Sequence, residues 1–339
     1  MSDKAMEFSR RGDEQFSRLL SRFPTAAKRR LALGQPLPAD RFSAIQAATR
    51  AYISECLGFA QAQPEDDVIA GLLRARAEGR LHNYTPGGML IPKREHAVAW
   101  NQLHRTVAAA FSDFGIGDLV DGIDLPINVR LVFGETNNAK PAAFSSSKLH
   151  SDVWAGVPHD AVVCVLPVLG AIEHLTIVFG EMKRELEMSQ MRAMNDYDEG
   201  STIKMAVPDR DTVLQHGTFY AADVRLLHKT VRRKKMGARV SIDFRFRMHD
   251  PIYRAMVPPV IGPESVDTRV PYETWLGVGT DRLMVIDETM AEAAATRHLK
   301  NSLPVYDGPY RIVPLYPGVP AGGRETERFA AGLASAVAG

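Results

Sequence analysis

Polar and apolar residues alternate from end to end of the stretch Arg239-Val240-Ser241-Ile242-Asp243-Phe244-Arg245-Phe246-Arg247-Met248. Because successive side chains of a β-strand point to opposite faces, this period of two predicts a strand with one apolar and one polar face. The polar face either meets water or lines a pocket. In a pocket, the guanidinium fork of Arg239 and the hydroxyl of Ser241, two positions apart, would together grip a carboxylate.

Short runs rich in β-branched residues precede this stretch, and Gly, Pro and Asp separate them. We predict strands at Ile127–Phe133, Lys148–Ala155, Ala161–Val168, His174–Phe179, Ser201–Val207, Thr218–Ala222, Val224–Val231 and Arg239–Met248. Most of the intervals show no helical periodicity; the exception is Met182–Asp198, a helical or loop insertion. Many short strands at this spacing predict a closed sandwich or barrel rather than a doubly wound parallel sheet.

Helical patterns dominate the chain before this strand-rich zone. Apolar residues recur at helical spacing in Asp40–Phe59 and Val98–Phe114, and a further helix is predicted at Asp287–Lys300. We therefore expect three regions. These are a helical region 1–120 packing on the barrel, a β core 121–250, and a mixed extension 251–339 that covers the barrel or contributes to an oligomer interface.

Composition narrows the class of protein. Among 339 residues, 41 are basic and 40 acidic, so the chain has no basic excess of the kind that nucleic-acid binders show. Its two cysteines form no disulfide framework, and Cys164 lies in an apolar run that predicts a buried small hydrophobe. No apolar stretch is long enough to span a membrane, and the polar N-terminus does not resemble a signal peptide. We expect a cytoplasmic protein.

A His-x-Asp pair, His150 and Asp152, falls within one of the predicted strands. On a strand these two side chains and Trp154 would share a face, so an imidazole and a carboxylate would lie side by side. His228, at the end of an apolar run, is a candidate for a third ligand. Two histidines and one carboxylate bind iron(II) and leave open coordination positions. His216 competes with His228 for the third place but stands in a predicted turn beside Gly217.

The order His150-x-Asp152, then His228, then Arg239-x-Ser241 resembles the iron(II)/2-oxoglutarate oxygenase superfamily, and within it the phytanoyl-CoA hydroxylase-like branch. The resemblance covers about residues 125 to 250. It implies a mainly β protein with helical flanks (α+β), built on a double-stranded β-helix (jelly-roll, cupin-like) core. By position, His150, Asp152 and His228 match the iron ligands. Arg239 and Ser241 match the clamp on the far carboxylate of 2-oxoglutarate, and O₂ is the other cosubstrate.

The implied reaction is hydroxylation of a polar small-molecule metabolite, or its desaturation, cyclisation or epimerisation, coupled to decarboxylation of 2-oxoglutarate to succinate. Asp152 stands where related halogenases have a small residue, so halogenation is disfavoured. Asn128 and Arg130 are further candidates for cosubstrate binding, and Lys148, Trp154 and Arg245 for substrate contact. The expected partner is a small molecule, with neither nucleic acid nor membrane, and the expected state is a monomer or homodimer.

Two other functions fit parts of the pattern. A cupin-like metal-dependent isomerase, or a dioxygenase that does not use 2-oxoglutarate, needs the three metal ligands but not Arg239. A non-catalytic jelly-roll binding protein would keep the histidines and Asp152 for structure alone.

Overall fold

The computed structural model describes residues 3–29, 32–81, 84, 88–90, 92–134, 143–180, 190–202, 214–233, 237–257, 269–286 and 310–314. The helix predicted at Asp287–Lys300 lies outside these residues. Within them, no helix is both long and apolar enough to cross a membrane. The division into three regions stays a prediction.

A large antiparallel sheet forms the middle of the described structure. Its strands are β1 (Ala27–Arg29), β2 (Ala32–Pro36), β3 (Met89–Leu90), β4 (Val120–Asp124), β5 (Asn128–Phe133), β6 (Ala161–Gly170), β8 (Thr218–Asp223), β10 (Ala238–Met248) and β11 (Arg269–Val270). The strand β10 pairs with β6 along one edge, and with β5 and then β4 along the other. It is therefore the central strand, and its predicted extent is confirmed.

The apolar face of β10 packs against helices. These are α2 (Ala39–Cys56), α3 (Glu65–Ala77), α4 (Ala97–Ser112) and α6 (Tyr272–Gly277). The Phe111 ring of α4 lies 5.4 Å from the Phe244 ring and 5.7 Å from the Phe246 ring. Trp275 of α6 is fully buried in the same core, 5.6 Å from the Phe244 ring. The helices predicted at 40–59 and 98–114 are thus confirmed as α2 and α4, and Cys164 is buried as expected.

A smaller sheet faces the other side of the large one. In it β7 (Leu175–Phe179) pairs with β9 (His228–Arg232), and His150 adds a single bridge to His228. Ile177 and Phe179 of β7 pack with Val165 and Tyr220 of the large sheet in one buried cluster. Further described elements include α1 (Asp3–Ser21), α5 (Pro251–Met256) and an antiparallel pair of strands, β12 (Arg282–Ile286) and β13 (Tyr310–Pro314). The described chain is thus a mixed α/β structure of antiparallel sheets and helices.

Three predicted strands differ from the structure. Lys148–Ala155 is wrong as a strand: only His150 forms a bridge, and the Ser151 hydroxyl, accepting from the Val153 amide at 3.3 Å, starts a 3₁₀ helix at Asp152–Ala155. The strand predicted at Val224–Val231 begins only at His228, because Asp223 closes a turn by accepting from the Arg225 and Leu226 amides.

The third difference is the strand predicted at Ser201–Val207. Its first two residues end a 3₁₀ helix at Tyr197–Thr202, and residues 203–207 lie outside the described chain. The same helix occupies the end of the predicted 182–198 insertion. The mainly helical zone before residue 118 also contains β1, β2 and β3, which join the large sheet.

Candidate metal centre

Three side chains converge between the two sheets: His150, Asp152 and His228. One ligand atom from each lies within 4.8 Å of the others. The Asp152 Oδ1 atom is 3.7 Å from Nε2 of His150 and 3.6 Å from Nε2 of His228. Two imidazole nitrogens and one carboxylate oxygen thus face a common point, which is a donor set suited to a divalent transition metal.

Backbone pairing brings the two histidines together. The His150 amide donates to the His228 carbonyl at 2.9 Å, and the His228 amide donates to the His150 carbonyl at 2.8 Å. In such a reciprocal antiparallel pair both side chains project from the same face as neighbours. Ser151 is extended, so Asp152 returns to that face, and the Ser151 hydroxyl donates to the Val224 carbonyl at 2.8 Å.

Each histidine ring is oriented by a backbone carbonyl two residues earlier. Nδ1 of His150 lies 2.7 Å from the Lys148 carbonyl oxygen, and Nδ1 of His228 lies 3.0 Å from the Leu226 carbonyl oxygen. A carbonyl only accepts, so each Nδ1 carries the proton and each Nε2 presents its lone pair towards Asp152. This is the tautomer that a metal-binding histidine uses.

The protonation states also suit a metal. Burial, with a smaller contribution from His228, lowers the pKa of His150 to about 3, so its ring is neutral. Burial alone would raise the pKa of Asp152, but electrostatic interactions, with His228 first and Arg245 next, outweigh it and leave this pKa below its usual value. Neutral imidazole and ionised carboxylate are the forms that bind metals.

The polar face of β10 is buried from Arg239 to Asp243 and half-buried at Arg245 and Arg247. Arg239 and Ser241 are both 0% exposed. Nη1 of Arg239 donates to the Leu175 carbonyl, whereas its Nε and Nη2 atoms and the Ser241 hydroxyl have no hydrogen-bond partner among the described residues. Burial, followed by repulsion from Arg130, lowers the pKa of Arg239 to about 9. A buried guanidinium with open donors, two positions from an open hydroxyl, fits a carboxylate ligand.

Asn128 and Arg130 lie on the same inner face of the sheet. In the register of β5 with β10, Arg130 stands opposite Ser241 and Asn128 opposite Asp243. The Arg130 guanidinium donates to Asp243 Oδ2 from Nε at 3.0 Å and from Nη2 at 2.7 Å. The Arg130 guanidinium is thus engaged with Asp243 within the protein, and cosubstrate contact by Asn128 and Arg130 stays a prediction.

The three predicted substrate contacts occupy different places. Lys148 donates from Nζ to Asp196 Oδ1 at 2.6 Å and to Asp198 Oδ2 at 2.8 Å, so its ammonium is engaged within the protein. Trp154 belongs to the 3₁₀ helix, not to a strand face shared with the ligands, and its indole donates to the Gln190 carbonyl at 2.8 Å. Arg245 lies half-buried on the polar face of β10, near enough to Asp152 to lower its pKa.

Two further residues complete the account of the site. His216 is exposed, with Nε2 3.1 Å from the Gly170 carbonyl oxygen, and is not part of the ligand cluster. Tyr197, which sequence reasoning missed, stacks on His150 with ring centroids 4.1 Å apart and an interplanar angle of 14°. Two acidic residues, Asp196 and Asp198, flank Tyr197 in the sequence, but nothing in the sequence indicates that they pair with Lys148.

A small cavity of about 20 Å³, room for about one water molecule, adjoins His228. Its wall is formed by both sheets and is mostly apolar: Val163, Val165, Ile177, Phe179, Tyr220, Ala222, Asp223 and His228. Asp223 is already bound to Arg225, with Oδ1 accepting from Nε and Oδ2 from Nη2 at 2.8 Å each. Beside His228 the cavity therefore has a mainly apolar wall, and its one carboxylate is already paired.

Comparisons with known proteins yield only distant similarities. No protein family model matches the sequence, and the search of curated proteins gives no match. Among solved structures, the chain is similar to the non-heme alpha ketoglutarate dependent epimerase SnoN from nogalamycin biosynthesis, with 13% identity and a TM-score of 0.37 over 76% of this chain and 96% of that one.

Two other solved structures are similar at the same level. AviO1 from Streptomyces viridochromogenes Tue57 has 16% identity and a TM-score of 0.34, over 68% of this chain and 93% of that one. An N-substituted L-amino acid dioxygenase from Burkholderia ambifaria AMMD has 14% identity and a TM-score of 0.34, over 65% and 86%. With TM-scores this low, these similarities establish neither the fold nor the activity of this chain.

Proposed function

We propose that this protein is a non-haem iron(II) and 2-oxoglutarate-dependent oxygenase acting on a small molecule. The observation that carries the proposal is the buried polar face of β10, where Arg239 and Ser241 keep open donors on the face that leads to the ligand set. A water-exposed polar face would need no ligand to balance it. A buried one with an uncompensated guanidinium is stabilised by an anion.

The strand pattern supports a jelly-roll core. In the large sheet β5, β10, β6 and β8 lie in that order, and in the small sheet His150 bridges β9, which pairs with β7. Successive strands along the chain thus alternate between two facing antiparallel sheets over much of 128–248. Such alternation is expected of a double-stranded β-helix, and it supports the proposal of that core.

Each residue has a separate task in this proposal. His150, Asp152 and His228 hold iron(II), and the Lys148 and Leu226 carbonyls keep the two imidazole rings aimed at it. Arg239 and Ser241 bind the far carboxylate of 2-oxoglutarate. When bound, iron and this cosubstrate supply the activation of O₂ for attack on a substrate C–H bond, with release of CO₂ and succinate. The apolar cavity wall limits water near the reacting centre.

The residues around the site bear on the class of substrate. The cavity beside His228 is lined mainly by apolar side chains such as Ile177 and Phe179, and Arg245 lies near enough to Asp152 to lower its pKa. We expect a polar small-molecule metabolite as the substrate, as the sequence indicates. Hydroxylation, desaturation, cyclisation and epimerisation all remain compatible with Asp152 as a ligand. The cytoplasmic location and the monomeric or homodimeric state stay predictions from the sequence.

The test needs no knowledge of the substrate. Purified protein is supplied with iron(II), ascorbate and 2-oxoglutarate under air, and succinate is measured. Many oxygenases of this kind release some succinate without substrate. We expect succinate from the wild type, background levels from Asp152→Ala, and wild-type levels from Asp66→Ala, a matched change at an exposed position of α3.

Two outcomes would contradict the proposal. Folded, iron-supplied protein that releases no succinate, and shows no iron-dependent absorbance band when 2-oxoglutarate is added without oxygen, would favour a cupin-like enzyme or a binding protein. An Arg239→Met variant that keeps an activity independent of 2-oxoglutarate would favour an isomerase or dioxygenase that does not use the keto acid.

A further inference from the structure

A separate segment, residues 190–202, is hydrogen-bonded to the stretch that carries His150 and Asp152. The Trp154 indole donates to the Gln190 carbonyl at 2.8 Å, and the Met194 amide donates to the Trp154 carbonyl at 2.9 Å. The Tyr197 amide donates to the Ala143 carbonyl at 3.2 Å. These three bonds join the segment to both ends of the stretch that carries His150 and Asp152. The segment is thus placed to influence the ligands.

On the side of His150, the Lys148 ammonium group links residues 190–202 to the metal-ligand motif. Lys148 Nζ bonds Asp196 Oδ1 at 2.6 Å and Asp198 Oδ2 at 2.8 Å, and the lysine side chain is only 12% exposed. The Asp198 amide also donates to Asp196 Oδ1 at 2.8 Å, which fixes the backbone around the residue between them. That residue is Tyr197, so the two carboxylates that bind Lys148 belong to the residues on either side of it.

Tyr197 in turn lies against a metal ligand. It is 5% exposed, its ring stacks on His150, and the Phe144 ring meets it edge-on at 5.1 Å. The His150 ring is therefore constrained at its face by Tyr197 and at Nδ1 by the Lys148 carbonyl. Lys148 contributes to both constraints, with its carbonyl directly and with its ammonium through Asp196 and Asp198.

We propose that Lys148, Asp196 and Asp198 form a clasp that holds Tyr197 against His150, and that this clasp sets the metal affinity of the site by fixing the ring of that ligand. The inference rests on the proposed metal site but not on 2-oxoglutarate or on any reaction. Tyr197 and Lys148 act as positioning residues. Outer groups that orient metal-binding histidines typically change metal affinity by roughly 10- to 100-fold when they are removed.

The experiment is a titration of the full-length protein with cobalt(II), following the visible absorbance of the bound ion and its dissociation constant. We expect Lys148→Met and Tyr197→Leu to weaken cobalt(II) binding by roughly 10-fold or more and to change the shape of the spectrum. Tyr197→Phe keeps the stacked ring and should retain wild-type affinity and spectrum. Arg192→Met, which breaks the neighbouring Arg192–Glu199 ion pair in the same segment, is the matched control and should also match the wild type.

A folding defect is separated from the proposed effect by the Asp196→Asn/Asp198→Asn double variant. Its side chains keep their size and are partly exposed, so it should fold, and it should weaken cobalt(II) binding in the same direction as Lys148→Met. Wild-type affinity in the double variant and in Tyr197→Leu would overturn the clasp. Failure of the folded wild type to bind cobalt(II) would instead overturn the metal site itself, and the clasp with it.

Discussion

The two faces of β10 are both buried but are stabilised in different ways. On one face Val240, Ile242, Phe244 and Phe246 pack against α4 and α6, and aromatic rings contact each other at 5 to 6 Å. On the other face Arg239 and Ser241 are equally hidden from water, yet keep donors without partners among the described residues. An apolar face gains stability by burial. A polar face loses stability unless something pairs with it, and this difference is the reason for proposing a ligand there.

The largest expected effect lies on the apolar face. Phe244→Ala removes a ring that contacts Phe111 and Trp275, and should lower the free energy of unfolding by about 3–5 kcal/mol, measured by urea denaturation. Phe59→Ala, at a ring 39% exposed, is the control and should change it by less than about 0.5 kcal/mol. Similar losses in the two variants would mean that the apolar face of β10 is not the centre of the core.

His104 of α4 provides a pH test on the same side of the sheet. Burial lowers its pKa to about 4, although its bond to the Trp275 carbonyl opposes this shift. The unfolded chain, with a pKa near 6.5, therefore takes up the proton first as the pH falls. The free energy of unfolding should decrease between pH 6.5 and 4, by on the order of 2–3 kcal/mol from this group.

The check is urea denaturation of the wild type and His104→Gln across that pH range. Other groups also titrate there, so the readout is the difference between the two slopes. We expect a shallower decrease in the variant. Parallel curves would show that His104 does not remain neutral in the folded protein.

Metal binding at the candidate site should raise the free energy of unfolding of the protein. Manganese(II) at about 100 times its dissociation constant should raise the free energy of unfolding of the wild type by about 2.7 kcal/mol. Asp152→Ala loses one of three ligands and should show little of this gain at the same concentration. An equal gain in both proteins would place the bound metal elsewhere.

Ser241→Ala should have the smallest effect on stability and still weaken ligand binding. Its hydroxyl is buried without a partner, so its removal should change the free energy of unfolding by less than about 1 kcal/mol. It should weaken 2-oxoglutarate binding to manganese(II)-loaded protein by roughly 2- to 10-fold, measured by calorimetry. A stability loss as large as that of Phe244→Ala would indicate a structural hydrogen bond instead.

The sequence predicted those parts of the structure whose signal is local. The alternation of 239–248 gave β10 and its two faces, and helical periodicity gave α2 and α4. The pairing of His150, Asp152 and His228 was expected from residue types and order, and the structure brings their ligand atoms together. The roles of these residues, and those of Arg239 and Ser241, stay predictions.

The predictions from sequence are wrong or incomplete where a side-chain hydrogen bond, or pairing with a distant segment, determines the backbone conformation. The Ser151 hydroxyl starts a 3₁₀ helix directly after the His150 bridge. Trp154 therefore does not share a face with His150 and Asp152, as it would on a continuous strand. The strand β2 was missed because its five residues are ordered by pairing with β8, far along the chain. The clasp on Tyr197 was missed because its ion pairs join Lys148 to Asp196 and Asp198, and composition carries no signal for such a contact.

The most direct test of the central claim is 2-oxoglutarate binding at the polar face of β10. Calorimetry on manganese(II)-loaded protein would compare the wild type, Arg239→Met and Arg41→Met, a control at a partly exposed arginine. We predict that the wild type and the control bind alike, whereas Arg239→Met binds roughly 10- to 100-fold more weakly and is no less stable to urea. Equal affinity in all three proteins, or no binding by folded, metal-loaded wild type, would contradict the account.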